Sequence, residues 1–280
     1  MIITCWGARG SIPVCGSEYL KHGGATTCLE IRTKNDEIII VDAGSGIRGL
    51  GHKLLRENRR QYNLILTHSH WDHILGFPFF RPIFVEGTTI DLYGCSFAQA
   101  SIKRIVARTM DPPHFPIKFE EIRAEISCHG ACRDSFEIDT VQVTPVFLSH
   151  PNSGIGLKFV EGGKSFVFLT DNELTYRHPG GLDYEDYVAF SDGADLLYHD
   201  AEFTEQEYVT RKTWGHSVYR DALRLALEAG VGRFGLFHHN QERTDAALEA
   251  MVQDCQRIVR ESGADLDCFA VAGGMEIELQ

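Results

Sequence analysis

The sequence predicts an α/β protein of four layers, with helices outside and two packed β-sheets inside. Three observations carry that expectation. Short β-like runs bounded by turn residues recur along the chain. Amphipathic helical stretches flank the strand-rich parts. Metal-capable polar residues stand repeatedly just after apolar strand runs. No linker-like composition divides the 280 residues, so one domain over 1–280 is expected.

Met1 to Trp6 opens as a strand-like run. Thr27 to Thr33 and Glu37 to Val41 are β-like and joined by the turn Lys34-Asn35-Asp36. Ile47 to Arg60 reads as a helix with Ile47, Leu50, Leu54 and Leu55 on its apolar side. Its basic end suits a helix C-terminus. Tyr62 to Thr67 and Thr89 to Tyr93 are strands, and Ala98 to Arg108 a helix. Asp111-Pro112-Pro113-His114-Phe115-Pro116 can be neither regular helix nor central strand. Val141 to Leu148, Gly154 to Val160 and Ser165 to Thr170 are strands, the last two forming a hairpin through Glu161-Gly162-Gly163-Lys164. Leu196 to Tyr198 is a strand, and Val218 to Ala229 a helix stopped by Gly230. Phe234 to Phe237 is a strand. Thr244 then caps a helix with the stripe Leu248, Met251, Val252, Cys255 and Val259, and Asp267 to Val271 closes with a strand.

The most informative stretch is Thr67-His68-Ser69-His70-Trp71-Asp72-His73, just after Leu64-Ile65-Leu66. Imidazoles and carboxylates are ligands for divalent zinc, manganese or iron. Alternation along an extended loop sends His68 and His70 the same way, and Asp72 and His73 are free to reach a second ion. Asp42 follows Ile38-Ile39-Ile40-Val41 and can hold the metal loop or cap the next helix. His150 follows Val146-Phe147-Leu148, and Asp171 follows Phe166-Val167-Phe168-Leu169-Thr170. These become ligand candidates because two ions need more donors than one motif supplies. His199 and Asp200, His216, and the pair His238 and His239 stand at similar positions.

Net charge is −12, from 27 basic and 39 acidic residues, which disfavours long nucleic acid as a partner. No secretory signal or membrane-length apolar stretch is visible, so a cytoplasmic protein is expected. The eight cysteines then read as reduced thiols, while Cys128, His129 and Cys132 are a weaker candidate for a structural zinc site. Nothing bears directly on assembly, and a homodimer is compatible with the sequence.

The ordered set of Asp42, His68-x-His70-x-Asp72-His73, His150, Asp171 and His238 resembles the five motifs of the metallo-β-lactamase superfamily. Asp195-Leu196-Leu197-Tyr198-His199-Asp200-Ala201-Glu202-Phe203 resembles the D-L-L-x-H-E-A-T-F segment of its phosphodiesterase branch, with Asp200 in place of Glu. That branch includes tRNase Z and the phosphoribosyl 1,2-cyclic phosphodiesterases. Gly215-His216-Ser217 resembles its G-H-S-T segment. Trp6-Gly7-Ala8-Arg9-Gly10-Ser11-Ile12-Pro13 and His22-Gly23-Gly24-Ala25-Thr26-Thr27-Cys28 are similar to W-G-T-R-G-S-x-P and Y-G-G-N-T-T-C of a cyclic-phosphodiesterase-like subgroup, with Ala25 replacing Asn.

The resemblance implies an αββα sandwich with two divalent ions, zinc foremost and manganese or iron in some members. His68, His70 and His150 would hold one ion; Asp72, His73 and His238 would hold the other; Asp171 would bridge them. His216 and Asp200 would form a proton-delivering pair. Arg9, Ser11 and the Gly7 to Ser11 loop are candidate phosphate contacts, with an ion-paired structural arginine the alternative for Arg9. Phe77, Phe80 and Phe115 are candidates to stack on a base, with core packing expected for at least two of them. The implied activity is hydrolysis of a small or cyclic phosphodiester. tRNA 3′-processing is the nearest rival. Enzymes of that kind carry a long substrate-gripping arm between the third and fourth motifs, whereas His150 and Asp171 stand only 21 positions apart. Thioester or lactam hydrolysis and a non-catalytic metal or nucleotide sensor are further alternatives.

Overall fold

Strand alternation sorts the apolar side chains into two cores. In the computed structural model, which describes residues 1–95, 101–132 and 134–280, the strands pair into two seven-stranded sheets. The first holds β1 (Ile2–Gly7), β2 (Cys28–Arg32), β3 (Ile38–Val41), β4 (Gln61–Leu66), β5 (Thr89–Gly94) and β6 (Glu125–Gly130). The second holds β7 (Phe136–Ile138), β8 (Val141–Phe147), β9 (Ile155–Glu161), β10 (Lys164–Leu169), β11 (Leu196–Asp200), β12 (Arg233–Phe237) and β13 (Asp267–Ala270). A last strand, β14 (Glu276–Glu278), returns to pair antiparallel with β1. The orders are β14-β1-β2-β3-β4-β5-β6 and β13-β12-β11-β10-β9-β8-β7.

Phe166 and Phe168 of β10 and Tyr198 of β11 enter the core between the sheets, with Ile3, Ile31 and Ile39 from the first sheet. Val167 and Leu169, at alternate positions, face outward into a second core. Helices α1 (Ile47–Arg56), α2 (Trp71–Ile74) and α3 (Ile102–Arg108) come from the first half of the chain. Helices α4 (Tyr184–Ser191), α5 (Glu205–Tyr208), α6 (Tyr219–Glu228) and α7 (Asp245–Ser262) come from the second. Tyr187 of α4, Leu223 and Ala226 of α6, and Leu248, Met251 and Cys255 of α7 cover the second core. The four-layer expectation holds.

Several boundaries differ from the sequence reading. Helix α1 stops at Arg56, and Asn58 turns left-handed at φ 57° before β4. Ser101 caps α3 by accepting from the Arg104 N–H. The expected start of that helix at Ala98 lies outside the described residues. β11 continues through Asp200, so the strand itself delivers that carboxylate. Phe77 and Phe80 are fully buried core residues. Phe115 packs edge-on against Phe79 at 5.6 Å.

The expectation of eight reduced thiols is corrected. Cys95 and Cys132 are joined as a disulfide across 37 positions. Cys132 is therefore not available to the proposed zinc site, and His129 instead faces Asp91 at 2.7 Å.

Candidate metal centre

All the donor residues stand at the C-terminal ends of strands, along one rim of the sandwich. Parallel pairing of β3 with β4 sets Val41 beside Ile65, so Asp42 emerges next to Thr67. Thr67 donates to the Asp42 carboxylate from its backbone N–H and its hydroxyl, each at 2.8 Å. Asp42 Oδ2, which takes the Thr67 hydroxyl, also meets His73 Nδ1 at 2.8 Å. Helix α1 receives no side-chain cap, so Asp42 serves the metal loop rather than the helix. With Nδ1 engaged, His73 Nε2 points at Asp171 Oδ2, 3.1 Å away, and at Asp72 Oδ2, 3.4 Å away.

Two donor sets result, each with ligand atoms within 4.8 Å of one another: His68, His70, His150 and Asp171, and Asp72, His73, Asp171 and His238. Asp171 belongs to both. Its Oδ1 lies 3.6 Å from His68 Nε2, 3.9 Å from His150 Nε2 and 3.2 Å from His238 Nε2. His238 Nε2 also meets Asp72 Oδ2 at 3.1 Å. His70 Nδ1 and His150 Nε2 face each other at 3.0 Å. A third group, Asp200, His216 and His238, adjoins these.

The residues present fit divalent ions. Among the described residues His68 Nε2 is buried with no hydrogen-bond partner, a costly state for an imidazole nitrogen unless a cation takes its lone pair. Burial drives the His68 imidazolium pKa well down and that of His150 down to about 3, more than Asp171 can offset. Both are therefore neutral, as a ligand must be. Burial also opposes charge on His73 and His238, but Asp171 and the other carboxylates facing them raise both well above the ordinary value. Reciprocally, these imidazoles outweigh burial and hold Asp72 and Asp171 well below the usual carboxylate range.

Backbone geometry holds the rim in place. Asp42, Asp171 and His238 have positive φ of 63°, 50° and 56°, a left-handed conformation that concentrates at functional sites. Gly10 lies against His238 so closely that a Cβ there would come within 2.3 Å of the ring. Gly215 has φ +95°, and its carbonyl oxygen accepts from His150 Nδ1 at 2.9 Å.

His216 Nδ1 lies 2.6 Å from Asp200 Oδ2 and 3.4 Å from Glu202 Oε2. Burial works against its imidazolium, but Glu202 and Asp200 raise the pKa to about 9. Complete burial pushes the Asp200 carboxyl up as well. The pair thus shares one proton, and the second carboxylate, Glu202, keeps it on His216. His199 turns away, its Nδ1 on the Asp200 carbonyl, and His239 Nε2 is taken by the Val271 carbonyl.

Two acids here were missed as site residues. Glu202 accepts from His238 Nδ1 at 3.0 Å and from Asn240 Nδ2 at 2.8 Å. Glu173 is a hub, accepting from the Thr213 and Gly215 N–H groups at 2.7 and 2.8 Å and from Tyr208 and His178. It thereby fastens the loop that carries Gly215 and His216. Each signal was faint: an acid two residues after a candidate donor, in the loop just past a strand end.

The expected phosphate contacts are redistributed. Arg9 is fully buried, and its guanidinium donates to the carbonyls of Gly23, Asn240 and Arg243 at 3.1, 3.1 and 2.7 Å. It cannot reach a substrate and instead clips the first loop to the segment after His238. Ser11, itself left-handed at φ 61°, meets the centre through its backbone, whose N–H donates to Asp72 Oδ2 at 2.8 Å.

Residues 37–239 match the family model described as the beta-lactamase superfamily domain. Ribonuclease Z of Lactobacillus johnsonii is 23% identical over 292 residues, covering 87% of this chain and 91% of that protein. Among solved structures, a diphosphatase from the PhnP family superposes with a TM-score of 0.71 at 18% identity, over 100% of this chain and 98% of the other. The short form of human tRNase Z superposes with a TM-score of 0.68 at 20% identity, over 100% of both chains. With its ordered donors on the rim of an αββα sandwich and a family match spanning most of its length, the chain belongs to the beta-lactamase superfamily.

Proposed function

We propose that the protein is a dinuclear metal-dependent phosphodiesterase acting on a small or cyclic phosphodiester. The observation that carries this is the pair of donor sets sharing Asp171, with the His216–Asp200 pair beside them. Divalent ions bound there supply a water of lowered pKa and positive charge facing the phosphoryl oxygens. Asp42 and Glu202 fix the tautomers of His73 and His238, leaving each Nε2 for an ion. Asp200 holds His216 Nδ1, so Nε2 remains to donate a proton to the departing alkoxide oxygen. The ion could be zinc, manganese or iron, since nitrogen and oxygen donors suit all three.

tRNA 3′-processing is the second reading, supported by the name of the L. johnsonii relative. Against it, the interval between His150 and Asp171 is used up by the hairpin of β9 and β10, which belongs to the second sheet. A net charge of −12 also opposes a polyanionic substrate. The deciding experiment loads purified protein with zinc or manganese and assays bis-p-nitrophenyl phosphate, a panel of cyclic nucleotides and precursor tRNA. Turnover of cyclic or small diesters supports the proposal. Salt-sensitive trimming of precursor tRNA with no small-diester activity would reverse it. No described helix is long and apolar enough to cross a membrane.

A further inference from the structure

The mouth of the centre is marked by exposure. Among the residues of the two donor sets, only His70 is partly open; the rest are buried, and His216 beside them is also partly open. Next to His70 stands Trp71, 66% exposed, in the middle of the metal loop. Trp71 forms one wall of a pocket of about 240 Å³, completed by Ser69, Ile74, Ile105, Arg108 and Thr109. The volume falls below the roughly 300–1,000 Å³ of whole-ligand sites, so it suits one ring system rather than an entire nucleotide.

Arg108 supplies the polar edge of this pocket. It is exposed and, unlike most arginines of the second half of the chain, has no ion pair or side-chain hydrogen bond among the described residues. The helix that carries it, α3, holds exposed Lys103, Arg104 and Arg108 and no acidic residue, so this wall is cationic despite the overall charge of −12. A planar π-face, a free guanidinium and a locally cationic wall together describe a site for a nucleobase attached to an anionic phosphate.

We propose that the Trp71–Arg108 pocket is the subsite for a nucleobase on the retained side of the diester, so that the substrate class is a nucleoside phosphodiester. The inference rests on the phosphodiesterase reading. The base stacks on the Trp71 indole, and Arg108 donates to its carbonyl edge, while the phosphate lies at the His70 side of the mouth.

The test compares thymidine 5′-p-nitrophenyl phosphate with methyl p-nitrophenyl phosphate. They share a leaving group and differ only in the retained group. The wild-type protein is expected to prefer the nucleoside ester in kcat/KM, mainly through KM. Trp71→Ala should lower that preference by roughly 10- to 100-fold, the range for loss of one base–aromatic stack. Trp71→Phe should restore most of it, and Arg108→Ala should lower it in part. As a readout independent of turnover, calorimetry of thymidine 5′-monophosphate binding to metal-stripped protein should show a similar weakening in Trp71→Ala. Equal use of the two esters by wild type, or a ratio and a nucleotide affinity untouched by Trp71→Ala, overturns the subsite. Failure of the metal-loaded protein to cleave either ester overturns the phosphodiesterase reading instead, and nucleotide binding then still decides the pocket.

Discussion

The donor set of His68, His70 and His150 and the set of Asp72, His73 and His238 meet at Asp171 but are backed differently. Behind the first set stand neutral groups: the Thr67 hydroxyl at 3.2 Å from His68 Nδ1 and the Gly215 carbonyl behind His150. Behind the second stand carboxylates, Asp42 on His73 and Glu202 on His238. A carboxylate behind a ligating imidazole makes it a stronger base and a stronger donor. The second set also contributes Asp72 as an anionic donor of its own. Two ions held there would be bound unequally, the Asp72 side being expected to bind its ion more tightly.

The severest challenge to that comparison is Asp171→Asn, which weakens both sets at once. Hydrolysis of bis-p-nitrophenyl phosphate should vanish and metal content, read by atomic emission, should fall at both sites. Full occupancy with activity retained would refute the shared-carboxylate arrangement.

Next in size is His216→Ala. Loss of a general acid costs about 10²- to 10⁴-fold. The loss should be larger for alkyl than for nitrophenyl leaving groups, with both ions kept. Equal losses for the two ester types would remove His216 from proton delivery.

Asp42→Asn and Glu202→Gln sharpen the contrast between the sets. Each should weaken the Asp72-side ion by roughly 10- to 100-fold. In the wild type, titration with a chelator should strip the His70-side ion first. In either variant the two removal steps should merge or invert. An unchanged removal order would mean the carboxylates behind His73 and His238 do not make the difference.

The smallest effect concerns pH. His216 is raised to about 9 by Glu202 and Asp200 acting against burial. Its acid role is present below that pH and is lost as pH rises through it. Asp200→Asn removes one of the two carboxylates, so the alkaline limb of the kcat/KM profile should move toward neutrality. A limb that stays near pH 9 would assign it to another group.

Much of the centre was legible in the sequence because its donors are local. His68, His70, Asp72 and His73 lie in one strand-end segment, and Asp42, His150, Asp171 and His238 each end an apolar run. What stayed hidden depends on distant partners. Arg9 looked like an anion contact because no local pattern reveals that carbonyls from residues 23, 240 and 243 fill its donors. Glu173 gains its role only when Thr213 and Gly215 fold against it. Strand β6 escaped because it is a mostly exposed, polar strand at the edge of its sheet, without the apolar alternation that marks an interior one. The Cys95–Cys132 bond was obscured by its separation in sequence, since β5 and β6 bring the two together only through their parallel register.

The left-handed turns at Asp42, Asp171 and His238 carry a cost for the whole molecule. Such torsions oppose folding by about 1–3 kcal/mol each, least for aspartate, which tolerates them best. A sequence tuned only to resist heat would put glycine or asparagine at these positions and forfeit its chemistry. Thermal robustness and reactivity therefore compete at three identifiable points on the backbone.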